Sequence, residues 1–405
     1  MKKFFTLVLC TILSLSIWAV DMQAHMGTKE AQEAYTAHIP TWIATNSSYS
    51  TKYAPGVYYT GDYAPEALRA LSGNDLFGAL NSLMGSTSNI GGSSFTYNSL
   101  RNQYVNVDKD LNTSGYIIGY YDGSSINGTW NGTTYNREHT WPQSKGADKG
   151  IPMGHDMQSV RPTSSAVNSD RGNAAYGESS GYYDPNDVSI SNTLYRSENL
   201  GSYRGDAARV IIYDYIVYGE AGGHKNSLYN GNAQLLSKLG SGGVFESIPV
   251  LLRWHMNDPV SLTEMVRNEG ATIYQGNRNP FIDYPELAIQ MLKNASGVST
   301  YNVETTGVSM WPAYTLTLSS GFIAYLGDKD NRPDEVIVTG ATAQYNKTLG
   351  RLTISNVTGK VSIVCPTTAV DLTTDGQRAI KTIHNGQVVI LKGGKMYNLM
   401  GQVVE

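Results

Sequence analysis

Near Ser296 the hydrophobic periodicity of this 405-residue chain changes, and nothing else in the sequence constrains the fold as much. Upstream, "YYTGDYAPEALRALSGNDLFGALNSLMG" places Ala67, Leu68, Leu71, Leu76, Ala79, Leu80 and Leu83 at three- and four-residue steps, which predicts one or two amphipathic helices. Downstream, "YTLTLSSGFIAYL", "EVIVTG" and "GRLTISNVTGKVSIVCP" alternate apolar and polar residues between turn signals, the strand period. One periodicity cannot serve both halves, and the length suits two or three domains. We therefore expect an α+β chain: a helix-rich domain over residues 25–298, a small all-β, Ig-like sandwich over 299–375 and a β tail over 376–405. Asn385-Gly386 and Gly393-Gly394 are the expected turns of the tail.

The N-terminus reads as an export signal. Lys2 and Lys3 precede the apolar run "FFTLVLCTILSLSIWAV", and Ala19 and Ala24 offer small residues for cleavage, so residues 1–24 are expected to be a signal peptide. The run is short for a membrane span, and no stable span is expected. Cys10 lies inside it, which leaves Cys365 as the remaining cysteine and rules out an intramolecular disulfide or a cysteine-based zinc site. A secreted or cell-surface protein follows, with enough apolar content (40%) to build cores. The formal net charge of −4 becomes more negative once Lys2 and Lys3 leave, so any polyanionic partner needs local cations or a metal.

Two further helices are legible. "GDAARVIIYDYIVYGE", from Gly205, has the apolar content of a buried helix. Ser261 and Glu264 form a Ser-x-x-Glu capping box, so a helix should begin near Leu262 and end by the Gly276–Pro280 turn. Between Tyr104 and Tyr135 the Gly- and Tyr-rich sequence favours short strands and turns.

The chemistry concentrates between these segments. "NREHTWPQSKG" sets Glu138 beside His139, and "GHDMQSVRPTSSAVNSDRGN" follows. We expect a strand over Met153–Val160, then a short helix from about Thr163 to Arg171 with Pro162 in its first turn and Gly172 closing it. Glu138, His139, Asp156, Arg161, Asn168 and Arg171 thus fall within 34 residues. Those residue types suit phosphodiester hydrolysis. A neutral imidazole accepts a proton from water. A carboxylate and an amide oxygen are hard ligands for Mg²⁺, and arginine clamps phosphate. Adjacent strand residues point to opposite faces, so the strand must bend or finish at the Glu-His pair, with Trp141-Pro142 as its terminator.

"NREHTWPQS", "HDMQSVRPTSSAVNSDRGN", "DPVSLTEMVRNE" and "QGNRNPFID" together resemble the successive signatures of the bacterial endonuclease I family, over roughly residues 58–287. The resemblance implies a ββα-metal (His-Me finger) core and cleavage of DNA, often of RNA too, with little sequence preference and 5′-phosphate products. It implies His139 as general base, with Glu138 and Asn168 as ligands of Mg²⁺ (Ca²⁺ or Mn²⁺ being the alternatives). Where the family shows Asp-x-His-His or Asp-x-His-Asn, this chain has Asp156-Met157-Gln158-Ser159, which leaves the base and ligands untouched. "KMYNLMGQVVE" resembles the sorting tails of proteins exported by the type IX route, so export machinery is an expected partner beside nucleic acid.

Arg161 and Arg171 are candidates for binding substrate phosphate, or equally partners of Asp156 and Asp170. Arg278 suits a clamp or a structural turn, Asn173 a turn, and Trp141 core packing; His224 and His255 read as ordinary histidines. "GESSG" lacks the helix that a nucleophile elbow requires, "DKDLNTSG" lacks the glycine and glutamate of a calcium loop, and no His-Glu-x-x-His run occurs. The competing class is a non-catalytic surface adhesin or glycan binder, in which the Glu-His pair is incidental.

Overall fold

A computed structural model of the chain describes residues 48–85, 96–110, 113–186, 203–221, 224–225, 239–240, 243–327, 331–366, 379–384, 387–392, 395–397 and 403–404. The signal segment 1–24, the turns at 385–386 and 393–394, and most of the last eight residues lie outside them.

Helix α1 (Gly73–Gly85) buries Leu76, Phe77, Leu80, Leu83 and Met84, the apolar stripe of its sequence. Strands β1 (Tyr116–Ile118) and β2 (Ser125–Asn127) pair antiparallel. Strands β3 (Asn136–His139) and β4 (Val160–Thr163) form a second antiparallel pair, with Glu138 opposite Arg161 and His139 opposite Val160. Helix α2 (Ser165–Arg171) follows; the Ser164 side chain caps it by accepting from Val167 N, and Gly172, at φ 56°, ends it. Helix α3 (Arg204–Tyr218) is buried from Gly205 to Tyr218, a central helix packed on all sides. Helix α4 (Ile248–Asn257) packs on it, the Arg209–Glu264 ion pair ties it to α5 (Leu262–Gln275), and α6 (Leu287–Leu292) packs on α1. The capping box at Ser261 and Glu264 forms, and Gly276 closes α5 in the left-handed conformation.

The strand expected over Met153–Val160 starts later. Residues Pro152–His155 form a 3₁₀ turn, and pairing begins at Val160. Side chains from the helices take up the backbone groups that a strand partner would have used. Met157 N donates to Gln275 Oε1 at 2.7 Å, Arg267 Nη1 donates to Gln158 O at 3.3 Å, and Arg267 Nη2 donates to Met157 O. Side-chain anchoring has replaced ladder pairing there.

From Tyr301 onward the described elements are strands: β5 (Tyr301–Thr306), β6 (Met310–Trp311), β7 (Leu316–Thr317), β8 (Phe322–Leu326), β9 (Ile337–Thr339), β10 (Thr342–Asn346), β11 (Arg351–Ser355) and β12 (Val361–Val364). They make two four-stranded sheets, in the orders β10-β11-β8-β6 and β9-β12-β5-β7, with β5 and β12 parallel. The tail strands β13 (Ala379–His384), β14 (Gln387–Lys392), β15 (Lys395–Tyr397) and β16 (Val403–Val404) form a third, antiparallel sheet. One continuous apolar cluster joins Leu76 and Leu80 of α1, Ile211 and Ile216 of α3 and Leu251 of α4 to Phe322, Leu352 and Ile363 of the strands. A second cluster, including Tyr104, Ile117, Tyr135, Met157, Val160 and Ala271, fixes the β3–β4 pair against α5. No described helix is long and apolar enough to cross a membrane.

Candidate active site

Strand β3 finishes at His139, and this resolves the alternation problem. A cavity of about 250 Å³ opens at its end, lined by Arg137, Glu138, His139, Gln143, Asn168 and Arg171 among others. The adjacent acid and imidazole both reach it, and α2 contributes Asn168. The Asn168 side chain makes no hydrogen bond among the described residues.

The His139 tautomer follows from its partners. Nε2 lies 3.0 Å from Gly154 O, and a carbonyl oxygen only accepts, so Nε2 carries the proton. Nδ1 then holds the lone pair and accepts from Gln143 Nε2 at 3.3 Å. Gly154 itself packs on the Asp148 backbone only because it has no side chain: a Cβ there would meet Asp148 O at 1.9 Å. Burial lowers the imidazole pKa to about 4, aided by Arg137 and Arg171 and opposed by the Gly154 carbonyl, so the ring is neutral at physiological pH. Nδ1 thus keeps a lone pair, and the ring lines the cavity.

Glu138 is buried, and that burial raises its pKa, while Arg171 and the Tyr121 hydroxyl favour the charged form. Arg171 Nε lies 3.1 Å from Glu138 Oε1, and Tyr121 Oη donates to the same oxygen at 2.9 Å. The Tyr176 hydroxyl lies against that of Tyr121, and its one proton goes either to Tyr121 Oη or to Thr140 O, 3.1 Å away. Tyr121 sits at φ 75°, a conformation rare for a bulky residue, and its packing on Tyr120 and Tyr183 holds it there. A strained tyrosine therefore fixes one carboxylate oxygen, and both contacts fall on Oε1.

Comparison with known proteins matches residues 78–286 to the model of the family described as Endonuclease I. The chain belongs to the endonuclease I family. It is similar to an extracellular ribonuclease of Bacillus subtilis (strain 168), 30% identical over 304 residues that cover 71% of this chain and 98% of the relative. An extracellular ribonuclease of Bacillus amyloliquefaciens is also 30% identical, over 208 residues, 49% of this chain and 68% of the relative.

Every side chain of the cavity lies inside the endonuclease I segment, but the two expected arginines part company there. Arg171 lines the cavity, yet its charge faces Glu138, not Asp170, and it donates to Thr140 O and Gly172 O at 2.8 and 2.9 Å. Arg161 does not line the cavity. Its buried guanidinium meets Asp108 at 3.1 Å and lies over Tyr120, so the expected phosphate contact gives way to a buried ion pair. Asp156 meets neither arginine; it accepts from Tyr213, Tyr218 and Gln275. Gln158 and Ser159, at the family's departure point, bond Asn268 and Asp214 in the buried network.

Arg278 is a clamp, but a structural one, with Glu269 and Asp283 both at 2.7 Å. Trp141 is fully buried. His255 is buried, with Nε2 2.7 Å from Pro285 O, and the side chain of His224 lies outside the description. "GESSG" is an irregular loop, and Asp108 of "DKDLNTSG" is taken by Arg161 and Arg267. Among the described residues, no three His, Cys, Asp or Glu side chains cluster to hold a metal. Reading the sequence missed Tyr121, Tyr176, Gln143 and the Gly154 carbonyl. The Gln143 position inside "EHTWPQS" was the only available signal; the tyrosines come from loops whose approach no local pattern announces.

Proposed function

We propose that this chain is an exported, Mg²⁺-dependent endonuclease that hydrolyses phosphodiester bonds of DNA, and of RNA as the names of its relatives suggest, with little sequence specificity. The observation that carries this is the convergence of Glu138, His139 and Asn168 on one cavity. In this reading β3, β4 and α2 are the ββα-metal core, residues 299–375 a β-sandwich domain and the tail a sorting signal.

The donor set fits a hard cation. A buried carboxylate and an otherwise unbonded amide face one cavity, and Mg²⁺ is often held by few protein groups with water completing its shell. Glu138 Oε2 and Asn168 Oδ1 would hold it; when bound, the ion would supply charge neutralisation at the phosphoryl and leaving oxygens. His139 Nδ1, fixed by the Nε2–H bond to Gly154 O, takes a proton from water as the water oxygen attacks phosphorus in line. The P–O3′ bond breaks, the departing O3′ oxyanion takes a proton from solvent to become a 3′-hydroxyl, and a 5′-phosphate remains. The Gln143 amide, now on Nδ1, marks the position this water occupies. Arg171 lines the same cavity, where its charge balances Glu138.

Incubating the purified protein with supercoiled plasmid, with Mg²⁺ and then with EDTA, tests the proposal. Nicking that needs the ion supports it. Intact plasmid under both conditions would favour the adhesin or glycan-binding reading.

A further inference from the structure

The most deeply buried of the described arginines follow one rule. Arg161, Arg171, Arg209, Arg267 and Arg278 are at most 5% exposed, and each faces a carboxylate. That is how a buried guanidinium is made tolerable. Arg101 and Arg137 differ. Both are half-buried, and neither meets a carboxylate among the described residues. Arg137 Nη1 donates to Tyr97 O and Asn98 Oδ1, at 2.6 and 3.1 Å, while its buried Nε has no partner there.

What these two arginines have instead is aromatic faces. The Arg101 guanidinium lies 5.7 Å from the Trp130 ring centre, and that of Arg137 lies 5.1 Å from the same ring. Arg137 also lies 3.6 Å from the Tyr97 ring centre. Tyr97 is stacked on the His139 imidazole at 5.4 Å. These contacts link Arg101, Trp130, Arg137, Tyr97 and His139 in turn, ending on the proposed base. Stacking on a ring fixes a guanidinium plane without neutralising it and leaves its N–H edge to donate. In a chain of net charge −4, unneutralised cations beside the cavity are where a polyanion is held.

We propose that Arg101 and Arg137, clamped by Trp130 and Tyr97, form a second subsite that holds the phosphates of the nucleic-acid strand next to the one being cut. This rests on the nuclease reading above. Its contacts are to the backbone, so it binds every sequence alike and takes over the role that burial denies to Arg161.

The test is fluorescence anisotropy of the full chain with a labelled single-stranded oligothymidylate in EDTA, with salt varied from about 50 to 200 mM. Removing one phosphate contact should lower the slope of log affinity against log salt by about 0.7 for a single strand. Arg101→Gln is expected to show that loss, with affinity down about fivefold for oligothymidylate and mixed-sequence strands alike. Trp130→Leu keeps both charges, so it should weaken binding while leaving the slope intact. The Arg101 side chain makes no hydrogen bond among the described residues, so Arg101→Gln should melt like wild type. A wild-type affinity and slope in Arg101→Gln would overturn the subsite. The same wild-type preparation is assayed on plasmid with Mg²⁺. Cleavage there combined with an unchanged Arg101→Gln slope removes the subsite alone, whereas failure to cleave removes the nuclease reading.

Discussion

Replacing Arg171 by methionine removes the counter-charge of the proposed metal ligand while keeping most of the side chain's volume. The two side chains are 1% and 4% exposed and the charges lie 3.1 Å apart. At an effective dielectric of ~20 this separation corresponds to about 5 kcal/mol of attraction. Nε makes no aligned hydrogen bond, so the lower end of the range for breaking buried pairs, about 3 kcal/mol, is the better figure. Thr140 O and Gly172 O also lose a donor, adding about 1 kcal/mol. The metal-free variant should therefore be about 4 kcal/mol less stable, with Tm lower by on the order of 10 °C. A cation on Glu138 replaces the lost charge, so saturating Mg²⁺ should restore most of the Glu138 share and leave a deficit of about 1 kcal/mol. Urea unfolding of wild type and variant near pH 7, in EDTA and in Mg²⁺, measures both quantities. An equal deficit in the two buffers would show that the ion does not sit on Glu138.

Three further outcomes are expected. In metal-free protein the His139 ring should titrate near pH 4 by NMR, because burial holds it down. Its folded pKa is depressed, so the stability it contributes is full above about 6.5 and is lost as pH falls through about 4; a midpoint near 6.5 would refute the burial assignment. Gly154→Ala puts a Cβ 1.9 Å from Asp148 O, so the carbonyl that holds Nε2–H must shift. We expect about a tenfold loss of kcat and a cost of about 1–3 kcal/mol in stability; a kcat equal to wild type would show that this carbonyl does not orient the base. Arg278→Ala strands Glu269 and Asp283 in the interior, and chemical denaturation should show a loss of about 3–5 kcal/mol that Mg²⁺ does not recover.

Local signals were legible where the chain satisfies itself. The capping box at Ser261 and Glu264, the buried helix after Gly205 and the Gly172 terminator of α2 each depend on residues within a few positions. The end of β3 at His139 follows from Trp141-Pro142 for the same reason. What was not legible depends on distant partners. Side chains of α5, more than 100 residues downstream, bind the backbone at Met157 and Gln158 and so delay β4. Arg161 reads equally as a phosphate contact or a structural partner, and Arg278 as a clamp or a structural turn, because arginine types alone do not reveal a buried carboxylate such as Asp108 or Glu269. Tyr121 reaches Glu138 through a left-handed backbone turn, which its side chain gave no cause to expect.

In the proposed mechanism one cation, on Glu138 and Asn168, and one neutral imidazole, His139, act on the same phosphodiester. Single-turnover cleavage of an end-labelled oligonucleotide across a Mg²⁺ titration tests it most directly. Asn168→Ala is expected to cleave only at raised Mg²⁺, and His139→Ala to lose about 10²–10⁴-fold in rate at every Mg²⁺ concentration. His139→Ala cleaving at the wild-type rate, or Asn168→Ala with an unaltered Mg²⁺ midpoint, would contradict it.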